Sequence, residues 1–193
     1  MTNLFDYLIW RGDLPMEKIP FCPVDALILS ALSYVHFGEL IPPGPQACVS
    51  IGRAARAYLD LSPDQRGRCR CQEDLKLLDT LVRAPRFSSL SLCCCEDRFI
   101  PEEETQFCAM AVLLPDGSAF LVFRGTDATL VGWKEDFNMS FLDTVPAQLA
   151  AADYVQRFAA GFSGPLRLGG HSKGGNLSVF AAVCCPAEIR DRI

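Results

Sequence analysis

The stretch Gly170-His171-Ser172-Lys173-Gly174 sets a serine between two glycines at the G-x-S-x-G spacing. A serine so placed can attack an acyl carbon if the chain turns sharply there from a strand into a helix. In such an elbow the serine takes a strained backbone and its hydroxyl stands clear of the sheet edge. The flanking glycines let strand and helix approach without a Cβ between them. The first amides of the following helix then carry partial positive charge where an oxyanion would form. Two blander roles fit the same residues: a helix cap made by the serine hydroxyl, and an anion-holding glycine turn. The phosphate-binding G-x-x-x-x-G-K-[ST] order is not met, because Lys173 follows the serine.

The neighbours of the motif favour the elbow. Leu166 to Leu168 predict a short strand before it and Asn176 to Val183 a helix after it. An oxyanion hole takes one N–H from the residue after the nucleophile, here Lys173. It takes the other from a loop that ends an earlier strand. The run FLVFRGTD supplies such a strand, with Thr126 where the loop begins.

A serine also needs a base. In hydrolases of this kind the chain order is Ser, then Asp or Glu, then His. Glu188 and Asp191 follow Ser172, but neither of the chain's two histidines does. His171 adjoins the serine, and its side chain is expected to point away from Oγ toward a packing or hydrogen-bonding role. His36 comes too early and is expected on a helix. The expectation is therefore that the acid and the histidine lie beyond Ile193, and that these residues are the N-terminal part of a longer hydrolase. Alone, they are expected to be inactive and marginally stable, with an uncovered sheet edge.

These groups must be positioned by ordered elements. Val24, Leu27, Ile28, Ala31, Leu32 and Val35 recur at helical spacing between Pro23 and Gly38. Further helices are predicted over about 50–60 and over QEDLKLLDTLVR. Near residue 92 the pattern changes. Two apolar runs flank Pro115-Asp116-Gly117 and predict a hairpin. A loop with a short element follows in DATLVGWKEDFNMSF. An alanine-rich helix runs from Pro146 to near Gly161, and IRDRI is expected to lead into another strand. Strands alternating with helices argue for an α/β sheet. The expected organisation is a helical region over 1–91 and a partial α/β-hydrolase core over 92–193.

FRGT, then Trp133 and Asp136 in GWKEDF, then GHSKGG resemble the class 3 lipase pattern. With WRGDL and SYVHF added, nearly the whole chain resembles a bacterial family of unknown function that has a helical N-terminal region and a lipase-like α/β-hydrolase core. The resemblance implies a fold class of α/β, here an incomplete hydrolase sheet ending just after the elbow. It implies Ser172 as nucleophile, Thr126 and Lys173 as oxyanion-hole backbone donors, and hydrolysis of an ester or similar acyl bond. The alternative is a catalytically inactive binding or interaction protein of the same fold. Trp133 is expected to be a packing anchor, Asp136 a cap or hydrogen-bond partner, and Arg124 an ion-pair member beneath the oxyanion loop. Asn176 is expected to bond local backbone, and the Lys173 side chain to be solvated.

Composition narrows the partners. A net charge of −5 without a Lys/Arg stripe argues against nucleic acid. A small-molecule or lipid-like acyl ester is the expected substrate, with no cofactor and no metal. No apolar run is long enough to span a bilayer and no leader pattern opens the chain, so a cytoplasmic location is expected. The ten cysteines contain no C-x-x-C knuckle and are expected to be reduced, mostly buried thiols, Cys69 and Cys71 included.

Overall fold

The computed structural model of the chain describes residues 3–45, 47–66 and 72–193. Cys69 and Cys71 lie outside them. Among the described residues the fold is mixed α/β. The helices are α1 (Leu4–Arg11), α2 (Pro23–Leu32), α3 (Ile51–Asp60), α4 (Gln72–Val82), α5 (Pro85–Ser88), α6 (Leu130–Asn138), α7 (Pro146–Gly161), α8 (Lys173–Cys184) and α9 (Ala187–Arg190). The strands are β1 (Val49–Ser50), β2 (Ser91–Ile100), β3 (Thr105–Leu113), β4 (Ala119–Phe123) and β5 (Leu166–Gly170), and they form one sheet in chain order.

Pairing is antiparallel from β1 to β4; β5 alone joins in parallel, with Leu121 opposite Leu168 and Phe123 opposite Gly170. The β3–β4 hairpin turns at the expected Pro115-Asp116-Gly117. After Thr105 and Gln106 its strands are apolar because both faces are covered. Met110, Val112, Phe120 and Val122 face the N-terminal helices. Phe107, Ala109, Ala111, Leu121 and Phe123 face α7 and α8. Five alanines on α7 are buried, and their small side chains bring that helix close to the sheet.

The N-terminal region does more than cover a face. Its β1 pairs with Leu92 and Ser91 of β2, so residues expected to be only helical carry an edge strand. Within it, the buried Arg86 guanidinium bonds both oxygens of Asp25 at 2.7 and 2.5 Å and the carbonyls of Leu14, Ile19 and Pro20. That ion pair turns Asp25 inward and leaves Val24 and Leu27 exposed, unlike the apolar face expected for α2. The helix also stops at Leu32, short of Val35 and His36.

The C-terminal IRDRI differs from expectation too. Ile189 and Arg190 end the short helix α9 and Asp191 to Ile193 follow as a turn, rather than an approach to a strand. The Arg192 guanidinium bonds the carbonyls of Ala159, Phe162 and Gly164, while its own carbonyl accepts from the Leu166 N–H at 2.7 Å. These bonds satisfy carbonyls at the C-terminal end of α7. Among the described cysteines all are free; Cys93, Cys94, Cys108 and Cys185 are buried, and Cys48 and Cys184 are exposed. No helix among the described residues is long and apolar enough to cross a membrane.

Candidate active site

The motif sits where β5 hands over to α8. Ser172 has φ 56° and ψ −124°, a left-handed backbone on a residue with a side chain. It is exposed, and its side chain makes no capping bond to the helix that it precedes. The helix-cap role is therefore unfilled. The turn is closed by the backbone instead, with Gly174 N–H on the His171 carbonyl at 3.0 Å and Gly175 N–H on the Ser172 carbonyl at 2.9 Å.

Both glycines of the motif are packed too closely for a side chain. A Cβ at Gly170 would lie 2.5 Å from the Phe123 carbonyl oxygen, and one at Gly174 would run into the same oxygen. The end of β4 thus presses directly on the elbow, and the loop that leaves β4 must begin beside Ser172.

That loop is Arg124-Gly125-Thr126. Arg124 is buried, as expected of a structural ion-pair member. Its Nε donates to the Ser33 carbonyl at 2.6 Å, Nη2 to the Val35 carbonyl at 3.2 Å and Nη1 to Asp97 Oδ2 at 2.8 Å. Nη1 is also 3.1 Å from His36 Nδ1, itself 3.2 Å from the same Asp97 oxygen. Burial pushes the Asp97 carboxyl upward. The hydrogen bonds from His36 and Arg124, with the guanidinium charge, outweigh it and hold Asp97 below the usual carboxylate range.

Thr126 Oγ1 donates to Asp136 Oδ2 at 2.5 Å. Asp136 is thus the hydrogen-bond partner expected of it, on α6. The α6 N-terminus is capped by Thr129, whose hydroxyl accepts from Gly132 N–H at 3.1 Å. The backbone N–H of Thr126 lies outside helix and strand. That of Lys173 is the first of α8 and so one of the donors that a helix leaves free.

Three expectations are corrected. The Lys173 side chain is fully buried rather than solvated. Its Nζ donates to Glu135 Oε2 at 2.7 Å, the Gln106 carbonyl at 2.7 Å and Gln106 Oε1 at 2.9 Å, so each of the ammonium's three hydrogens has an acceptor. Trp133 is 63% exposed and anchors no packing. Asn176 Oδ1 accepts from Gln148 Nε2 of α7 at 2.9 Å rather than bonding local backbone.

Both histidines are occupied. His171 Nδ1 is 3.1 Å from the Tyr34 hydroxyl, with the two rings edge to face. The hydrogen-bonding role expected of it is filled, but its partner comes from the N-terminal region rather than from a strand. His36 lies in the Arg124–Asp97 cluster, after the end of α2. Glu188 and Asp191 are exposed on and after α9.

Tyr34, Gln106 and Glu135 are site residues that the sequence did not single out. Glu135 stood beside Asp136 in GWKEDF and Tyr34 in SYVHF. Their partners are far along the chain, and nothing local marks them.

The sequence pattern of one protein family, described as Mbeg1-like, matches residues 81–193, more than half of the chain, which hold strands β2 to β5 and the elbow. That family is related to lipase-like proteins. No curated protein and no solved structure was found to match the chain.

Proposed function

The chain belongs to the Mbeg1-like family, and on that premise we propose that it is a lipase-like serine hydrolase whose nucleophile is Ser172. The observation that carries the reading is the backbone of Ser172. Its φ of 56° costs conformational energy, and its exposed hydroxyl caps nothing. Strain of this kind persists where the surroundings impose it, and it clusters at reactive positions.

In the proposed step Ser172 Oγ adds to the carbonyl carbon of an ester or similar acyl bond, and the Oγ proton passes to a base. The carbonyl oxygen becomes an oxyanion held by the N–H groups of Thr126 and Lys173. Collapse breaks the bond to the leaving oxygen, which takes the proton back from the base and departs as the alcohol; water then cleaves the acyl-serine, releasing the acid and restoring the Ser172 hydroxyl. On α6, Leu130, Trp133 and Phe137 form an exposed apolar stripe that follows closely on Thr126. It supports a substrate with a lipid-like acyl part.

The base of this step is left unassigned: His171 Nδ1 meets the Tyr34 hydroxyl, His36 Nδ1 lies in the Arg124–Asp97 cluster, and neither ring bonds the Ser172 hydroxyl. The same engagement favours a second reading, a hydrolase-like binding protein without turnover.

Imidazole separates the two readings. The chain is expected to give negligible hydrolysis of p-nitrophenyl butyrate at neutral pH. Added imidazole should accelerate fluorophosphonate labelling at Ser172 in the native chain and not in Ser172→Ala, read by peptide mass. Labelling no faster than in the denatured chain would support the binding reading instead.

A further inference from the structure

We infer that Glu135 and Lys173 are positioning residues for the oxyanion hole, joined by a buried ion pair that makes α6 the common anchor of both donors. The inference rests on the reading of Ser172 as nucleophile.

The sequence places a lysine directly after the strained residue. The structure sends its side chain inward, where the ammonium meets acceptors on β3 and α6. Glu135 is as deeply buried and fully used: Oε2 accepts from Lys173 Nζ and from the Gln106 N–H at 3.1 Å, and Oε1 from the Ala147 N–H at 2.9 Å. One carboxylate thus ties together β3, α6, the start of α7 and the start of α8.

The next residue, Asp136, holds the Thr126 hydroxyl. Consecutive carboxylates on one helix therefore grip the two residues whose N–H groups face the oxyanion. A solvated lysine would serve as well if residue 173 were needed only for its backbone. Burying an ammonium among three acceptors fixes where that residue sits. It also holds it against the strain of Ser172.

Removing one partner would strand a buried charge and unfold the chain. The test therefore removes both. In Lys173→Met/Glu135→Leu apolar groups of similar volume replace the pair, which such sites tolerate. The whole 193-residue chain is treated with a fluorophosphonate at alkaline pH, where hydroxide serves as base, and labelling of Ser172 is resolved into a reversible binding constant and a first-order rate.

The expected result is a first-order rate at least about tenfold slower in the double variant, with the binding constant near wild type and the chain folded at a lower Tm, because the Gln106 and Ala147 N–H groups lose their acceptor; outright loss of one oxyanion donor costs roughly 100- to 1,000-fold. Glu135→Asp keeps the charge but withdraws it by one methylene, and should fall between the two. A folded double variant that labels at the wild-type rate overturns the inference. So does a chain in which both variants are unfolded, since the pair then serves folding and nothing more specific. Failure of the wild-type chain to label at Ser172 sinks the nucleophile reading itself, a different outcome.

Discussion

At the scale of single residues, Ser172 stores strain that a residue without a Cβ would release. A non-glycine residue in a sparsely populated backbone region costs about 1–3 kcal/mol, and Ser172 combines φ 56° with ψ −124°. Ser172→Gly is therefore expected to be more stable than Ser172→Ala by about 1 kcal/mol in urea unfolding, although neither carries a nucleophile. Equal stability of the two would show that the backbone relaxes without cost. Gly174→Ala tests the opposite effect. Its new Cβ would press on the Phe123 carbonyl, and overpacking should lower stability by about 1–3 kcal/mol. The motif glycines were legible because their spacing is local. The Tyr34 hydroxyl on His171 and the Glu135 carboxylate on Lys173 were not, since each pairing is made by the folded sheet and leaves no periodic trace in the chain.

At the scale of elements, α6 is oriented against the usual rule. It buries the charged Glu135 and exposes Leu130, Trp133 and Phe137. An amphipathic pattern read from sequence would turn it the other way. The buried face is polar because it anchors Lys173, and the exposed one is apolar. Trp133→Ser should thus change Tm by the equivalent of less than about 0.5 kcal/mol, as substitutions away from packed features do. A loss of several kcal/mol would restore the packing role that the sequence suggested. β2 was missed for a different reason. Its Cys93-Cys94-Cys95 run carries no alternation, and the strand is bulged, with Cys94 at φ 53° and the register shifted between Cys93 and Glu96. By contrast β3, β4, α7 and α8 were legible from long apolar runs and clear Pro or Gly boundaries, and α3 from its spacing.

At the scale of the whole molecule, Arg124 joins the helical region to the sheet. Its guanidinium reaches the Ser33 and Val35 carbonyls on one side and Asp97 of β2 on the other, at the start of the proposed oxyanion loop. The helical region thus helps to set the site's geometry, and the joint is sensitive to acid. The Asp97 carboxyl titrates below its ordinary value when folded, which is about 3.9 when unfolded. A carboxylate of depressed pKa adds stability that is complete above the unfolded value and is lost as pH falls through the folded one. Asp97→Asn lacks that contribution at every pH. At neutral pH it should cost about 1–2 kcal/mol, less than the roughly 3–5 of a fully buried pair, because the Asp97 side chain is 33% exposed. The gap in urea midpoint between wild type and Asp97→Asn should begin to narrow as pH falls below about 4 and shrink further as the folded carboxyl is protonated. A gap that does not narrow at all between pH 5 and pH 3 would mean that packing, and not the carboxylate charge, holds the helical region to the loop.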